Sequence, residues 1–183
     1  WFFSPFASMT YLKWLLMVPV SLFLTVVSFP LALVLPFFAK DGWLPKWLNW
    51  FQTPDNSLYG DDGWKTEHWM WRYKLPAVLA TYVGMVGWLW RNPAYGFGCV
   101  YMTGDPIVAT FIGNEKVNDY PLSEGHITVY SQDLFQFVWC KKISSTKCLY
   151  FVFGWNIKGL INSHDTKHIA TYAFSPRIST FRI

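Results

Sequence analysis

The chain has 183 residues, 52% of them hydrophobic and 21% aromatic, and a formal net charge of +4 with no run of Lys or Arg. That length allows one ordinary domain, or a membrane anchor with a small second unit, and the dispersed charge argues against nucleic acid as a partner. Three cysteines, Cys99, Cys140 and Cys148, provide neither a metal-ligand spacing nor an even disulfide framework. A Cys140–Cys148 bridge across a hairpin and two reduced thiols packed in a sheet are both compatible with the sequence.

Trp14 to Ala39 is a run of twenty-six residues without a charge, closed by Lys40 and Asp41. As a helix it would be roughly 39 Å long at about 1.5 Å per residue, enough to cross a hydrocarbon core of about 30 Å with tilt. It is too long for a signal peptide, lacks a basic region beyond Lys13, and has no small-x-small cleavage site before Lys40, so it is read as retained. A chain that opens on Trp1 is read as trimmed by processing or incompletely covered. Pro19, Pro30 and Pro36 are tolerable in a membrane helix, and a kink is expected near Pro30. Neither half of the run is long enough to cross alone.

Gly42 to Phe51 places Trp43, Trp47 and Trp50 at helical spacing around Lys46 and Asn49. Indole rings favour the headgroup layer because they join apolar area to one N–H donor, so a short interfacial helix is expected. Gln52 to Trp64 is a loop rich in turn formers, with Asp55, Asp61 and Asp62 as weak metal-ligand candidates. Leu58 and Tyr59 occupy positions that should ligate in a calcium loop, and Thr66 stands where a glutamate is needed. The alternative is a solvated turn that caps a helix starting near Trp64.

Trp64 to Trp90 reads as helical with a boundary near Pro76, and its uncharged part, Leu75 to Trp90, is short for a crossing. Trp69 and Trp71 are expected at the membrane interface with Trp43, Trp47 and Trp50, while Arg72 and Lys74 snorkel outward. Ala77, Ala80, Gly84 and Gly87 share one helical face and allow close packing of another helix, most simply the first. Lys40, Lys46, Lys65, Arg72 and Lys74 outnumber Lys13 before and Arg91 after the two apolar segments. By the positive-inside rule the connecting region faces the cytoplasm.

Ten of the twelve tryptophans precede Arg91, and beyond it the pattern becomes that of strands. Expected strands are 97–102, 107–112, 127–130, 134–141, 148–153, 156–161 and 168–174. Turns are marked at Thr103–Pro106, Gly113–Asn114, Ser144–Ser145 and Ser175–Pro176. A small antiparallel meander or partly closed barrel follows. The fold class is therefore an α+β membrane protein: an N-terminal transmembrane helix or helical hairpin over 1–91 with a Trp-rich interfacial linker, then an antiparallel β domain over 92–183.

No Gly-rich phosphate loop, nucleophile elbow or zinc spacing is present, and neither a catalytic residue nor a cofactor is assigned. His164 and His168 would grip zinc on a helix, but strand geometry separates them by some 13 Å, so a surface turn is the better reading. Asp55, Asp61, Asp62, Glu67 and His68 form the one polar cluster near the expected membrane surface. It supports an alternative, metal-assisted chemistry on a lipid phosphate with Lys65 and Arg72 neutralising the phosphate. The main expectation is a binding protein that presents its β region to a partner, with Phe135, Phe137, Trp139 and Trp155 as contact candidates, half of them simply core.

The segments FQTPDNSLYGDDGW (Phe51 to Trp64) and WLWRNPAYGF (Trp88 to Phe97) resemble an uncharacterised family of small integral membrane proteins of tailed bacteriophages and prophages. GWLPKWLNW, GWNIKG and FSPR extend the similarity. The resemblance implies a phage product in the bacterial inner membrane whose partners are the lipid bilayer and a protein of the host envelope or of phage assembly. A virion component that inserts during infection is the further alternative, and no catalytic residue carries over. Asp55 and Asn56 are expected to shape a turn, and Arg91, Asn92 and Pro93 to end the second helix.

Overall fold

A computed structural model describes residues 5–67, 74–104, 107–161 and 168–181. The fold is α+β, an apolar N-terminal helix and an antiparallel sheet, in two compact units: Trp1–Val18 with Cys99–Ile183, and Pro19–Gly98. Helix α1, Pro5–Leu31, passes from the first unit into the second.

The first unit is built on six strands in the order β1-β8-β7-β6-β5-β2, every neighbour antiparallel. They are β1 Val100–Met102, β2 Thr110–Gly113, β5 Gly125–Ser131, β6 Leu134–Lys142, β7 Lys147–Asn156 and β8 His168–Thr180. A two-stranded ribbon, β3 Asn118–Asp119 and β4 Leu122–Ser123, is joined through a cis Tyr120–Pro121 bond. Alternation along β5–β8 sends Ile127, Val129, Val138, Cys140 and Val152 to an inner face, where they are buried with Val117 and Ile157. The outer face carries register-matched aromatic pairs, Trp139 opposite Phe151 and Phe137 opposite Phe153, and Phe135 meets Trp155 edge-on at 6.0 Å.

Two hairpins set this register. Gln132 and Asp133 both adopt positive φ (47° and 60°), the conformation of a two-residue type I′ turn, without the usual glycine. Gln132 also holds the backbone of Thr103, accepting from its N–H at 3.0 Å and donating to its carbonyl. At the other end Ser144 Oγ accepts from the Thr146 and Lys147 amides, so the expected serine turn is present.

Three expectations for the β region differ from the structure. No strand covers 156–161: β7 runs on to Asn156 and a 3-10 turn follows at Lys158–Leu160. Gly154 permits this continuation, with φ +103° and a position where a Cβ would run into the Phe135 carbonyl. Ser175–Pro176 is no turn, because β8 continues through it to Thr180. Beyond Ala170 that strand pairs only with β7 among the described strands, and proline is tolerated along such an edge. His168, expected near a surface turn, is buried where β8 begins, and neither ring nitrogen has a hydrogen-bond partner among the described residues.

The second unit holds the rest of α1, then 3-10 turns Leu35–Phe38 and Lys46–Phe51, and helices α2 Asp62–Glu67 and α3 Ala77–Arg91. The expected kink near Pro30 is instead an end to α1 at Leu31, because Pro36 cannot donate to Ala32 and the chain tightens to 3-10 geometry. Helix termination frees carbonyls, and α3 supplies donors: Trp90 Nε1 to Phe29 O at 2.9 Å and Tyr82 Oη to Leu33 O at 2.7 Å. Asn92 closes α3, its side chain and backbone N–H both donating to Trp88 O at 3.1 Å. The expected turn at Asp55–Asn56 is drawn in by Gln52 and Thr53, which both donate to Asn56 O.

Candidate functional site

The acid-rich loop is the first candidate, and local chemistry accounts for most of it. Asp61 is the N-cap of α2, its Oδ1 accepting the Trp64 N–H at 2.6 Å. Asp62 pairs with Lys65 at 3.2 Å, Glu67 with Arg91 at 3.8 Å, and Asp55 is exposed. Among the described residues no three His, Cys, Asp or Glu side chains are grouped to hold a metal ion. His68 and Arg72, invoked with this loop, lie outside the described residues, as do His164 and Asp165.

Behind the loop, Arg91 lies against two indoles, 5.7 Å from Trp64 and 5.9 Å from Trp88, themselves in edge contact at 5.7 Å. Gly60 makes room for this cluster, since a Cβ there would lie 2.5 Å from Trp64. Sequence reading assigned Arg91 only to the helix end. The missed signal is its spacing of three from Trp88, which places both on one helical face. Beside the cluster lies a cavity of about 340 Å³ lined by Tyr59, Trp64, Lys65, Ala80, Gly84 and Gly87.

The small-residue stripe of α3 therefore opens on this cavity. A Cβ on Gly87 would meet Trp64 at 2.9 Å, and one on Gly84 would meet nothing within 4 Å. Ala77 also lines the cavity. The end of α1, the partner expected for Ala77, Ala80, Gly84 and Gly87, accepts hydrogen bonds from Tyr82 and Trp90, also of α3.

The aromatic surfaces are the second candidate. Trp43, Trp47 and Trp50 are 47%, 71% and 53% exposed while Leu48 and Phe51 are buried, so the 3-10 turn presents Trp47 and Trp50 outward, and Trp43 just before it is outward as well. Trp69 and Trp71 lie outside the described residues. In α1 the segment Met9–Leu31 is long and apolar enough to cross a membrane, and Phe23 and Val26 on it are 65% and 69% exposed. Of the four contact candidates in the sheet, Phe135 and Trp155 are buried, and Phe137 and Trp139 are half-buried on the outer face.

Several of the sheet's polar groups are committed to its own fold. Asp119 accepts from Arg177 at 2.8 Å and Ser179 at 2.7 Å. Burial opposes its charge, but these two hydrogen bonds prevail and hold its carboxyl below the usual range. Arg177 also covers the Tyr150 ring at 4.8 Å. Burial, reinforced by the neighbouring Cys148, pushes the Cys140 thiol up to about 12, which makes it a poor nucleophile. No disulfide links the two. Lys158, lowered by burial, donates to Val117 O at 2.9 Å.

Fold and surfaces together define an α+β protein with one long apolar helix and an aromatic-faced antiparallel sheet. The chain belongs to a family of unknown function, DUF7338, which matches residues 7–181. No curated protein and no solved structure matches it.

Proposed function

We propose that this chain is an integral protein of a bacterial inner membrane, of the kind tailed phages encode, that acts by binding a partner in the host envelope rather than by catalysis. The observation that carries this reading is the outward apolar surface of α1. The core helix of a soluble protein meets the same test of length and composition but turns its large side chains inward, whereas Leu16, Phe23 and Val26 are all more than half exposed. The three outward indoles at 43, 47 and 50 then form an interfacial girdle. The phage origin rests on the resemblance of residues 51–64 and 88–97.

The binding role is supported by the disposition of polar groups. Asp61, Asp62, Glu67, Asp119 and Arg177 are each engaged in a cap or an ion pair. The test is purification of the tagged full chain from alkaline-washed membranes in mild detergent, with stoichiometry of the co-purifying proteins. A host envelope protein in fixed ratio is the expected result. Recovery in the alkaline supernatant contradicts the membrane reading, and recovery with phage structural proteins replaces the host partner with a virion role.

A second reading, chemistry on a lipid phosphate, is favoured by the cavity with Lys65 on its wall. Release of phosphate from a lipid phosphate by the purified chain, abolished in Lys65→Ala, would move the assignment to it.

A further inference from the structure

Antiparallel sheets with one face on a core normally turn polar side chains outward on the other. Here the outer face is paved with rings. Phe137, Trp139, Phe151, Phe153 and Phe174 are each half-buried: Trp139 stacks on Phe151 at 5.1 Å, Phe153 on Phe174 at 5.6 Å, and Trp14 of α1 packs against Phe153 and Phe174. Ile112 and Ile178 extend the apolar surface at either side and are exposed. The first turns of α1 lie on this same face, where Tyr11 meets Phe135 at 4.2 Å and Trp14 meets Phe153 at 5.6 Å. Trp14 is fixed there by a hydrogen bond to Ala173 O at 3.0 Å and by Tyr172 donating to its own carbonyl at 3.0 Å. Leu12, Leu15 and Leu16 on that segment point away from the sheet and are exposed.

Charge singles out the occupant. On β5 to β8 the ionised positions of the outer face are Lys141 and Lys147, with no carboxylate among them, whereas Asp119 and its partner Arg177 meet at the inner face. Lys13, on α1, lies 6.0 Å from the Trp155 ring on the outer side. Glu124 pairs with Lys141 at 3.5 Å from the segment before β5. A protein partner needs shape and directional polar contacts; an aromatic pavement bordered by lysines suits a headgroup layer, where rings sit at the acyl boundary and ammonium groups meet phosphates.

We infer that the outer face of the sheet rests on an anionic bilayer surface, with Trp139 and the rings beside it at the headgroup level. This deepens the membrane reading above and rests on it. The β unit is then a membrane-lying platform, and its inner-face side, with the loop carrying Lys116, is what remains open to water and to a partner.

The test places an environment-sensitive fluorophore at single cysteines of the full chain in nanodiscs of phosphatidylcholine and phosphatidylglycerol. The background is Cys99→Ser, since Cys140 and Cys148 are buried. The sites are Trp139→Cys, the already exposed outer-face position His126→Cys, Phe23→Cys in α1, and Lys116→Cys on the loop over the inner face. Quenching by lipids with a nitroxide near the top of the acyl chain is expected at 139 and 126, by deep nitroxides at 23, and by neither at 116. Removing phosphatidylglycerol, or adding Lys141→Glu with Lys147→Glu, is expected to reduce quenching at 126 and leave 23 unchanged. Quenching at 23 with 126 and 139 as water-accessible as 116 overturns the inference alone. Loss of quenching at 23 overturns the membrane reading beneath it. His126→Cys keeps the test decisive should Trp139→Cys not fold.

Discussion

The two units use the same apolar residue types in opposite ways. In the β unit Trp155 is fully buried, ringed by Phe135 at 6.0 Å and Tyr172 at 6.0 Å. In the helical unit Trp47 is 71% exposed, and Phe23, Val26 and Phe37 are equally outward. The β unit draws the Trp155 indole into a core, whereas the helical unit leaves many of its large apolar side chains on the outside. Burial, not composition, separates a core tryptophan from an interfacial one.

Charge insertion breaks this comparison hardest. Phe23→Asp with Val26→Asp alters two exposed positions and should barely matter if α1 faces water. Against lipid, each carboxylate costs about 2.5–3.5 kcal/mol, so the double variant is expected to lose most of its alkali-resistant membrane fraction. Next in size is the contrast between indoles. Trp155→Ala should cost about 3–5 kcal/mol of β-unit stability in thermal unfolding in detergent. Trp47→Ala should stay within about 0.5 kcal/mol in the same assay.

Asp119→Asn tests the ion pair that ties β3 to β8 within the β unit. The ion pair with Arg177 is partly exposed, so a loss of about 1 kcal/mol is expected at neutral pH. Because the folded carboxyl titrates below its ordinary value of 3.8, its stabilisation is complete above that value and disappears as pH falls through the lowered one. Unfolding curves of wild type and variant should therefore converge at acid pH and separate above it.

The smallest effects distinguish two glycines of one helix. Gly84→Ala faces open space and should gain up to about 1 kcal/mol from helix propensity. Gly87→Ala meets Trp64 at 2.9 Å, and that contact should cancel the gain or reverse its sign. Equal melting shifts for the two would contradict the placement of Trp64 over this face.

Much of the architecture is visible in the residues. The alternation in QFVWC and FVFGW marks β6 and β7 with their outward rings, and the charge-free run marks α1. Local signals failed where tertiary context prevails. Gln132–Asp133 forms a type I′ turn without glycine because the flanking strands and the hold on Thr103 enforce it. The ribbon β3–β4 has too few residues to show a period. Helix α1 starts before Lys13, whose ammonium reaches over Trp155, so a charge that looks like a boundary lies within the helix. For the candidate site, three aspartates close in sequence suggested ligands, but capping and pairing claim Asp61 and Asp62. In the Trp64–Arg91–Trp88 cluster, Trp64 is too far in sequence from the other two for a local pattern to reveal it.

The most direct test of the outward α1 surface is a spin-label accessibility scan of Val20, Phe23, Val26 and Phe29, each replaced by cysteine in the Cys99→Ser chain in bilayer nanodiscs. High accessibility to oxygen and low accessibility to a water-soluble nickel chelate at all four positions, with the reverse at Lys116, is the predicted result. Nickel accessibility at those four positions equal to that at Lys116 would contradict it and return α1 to water.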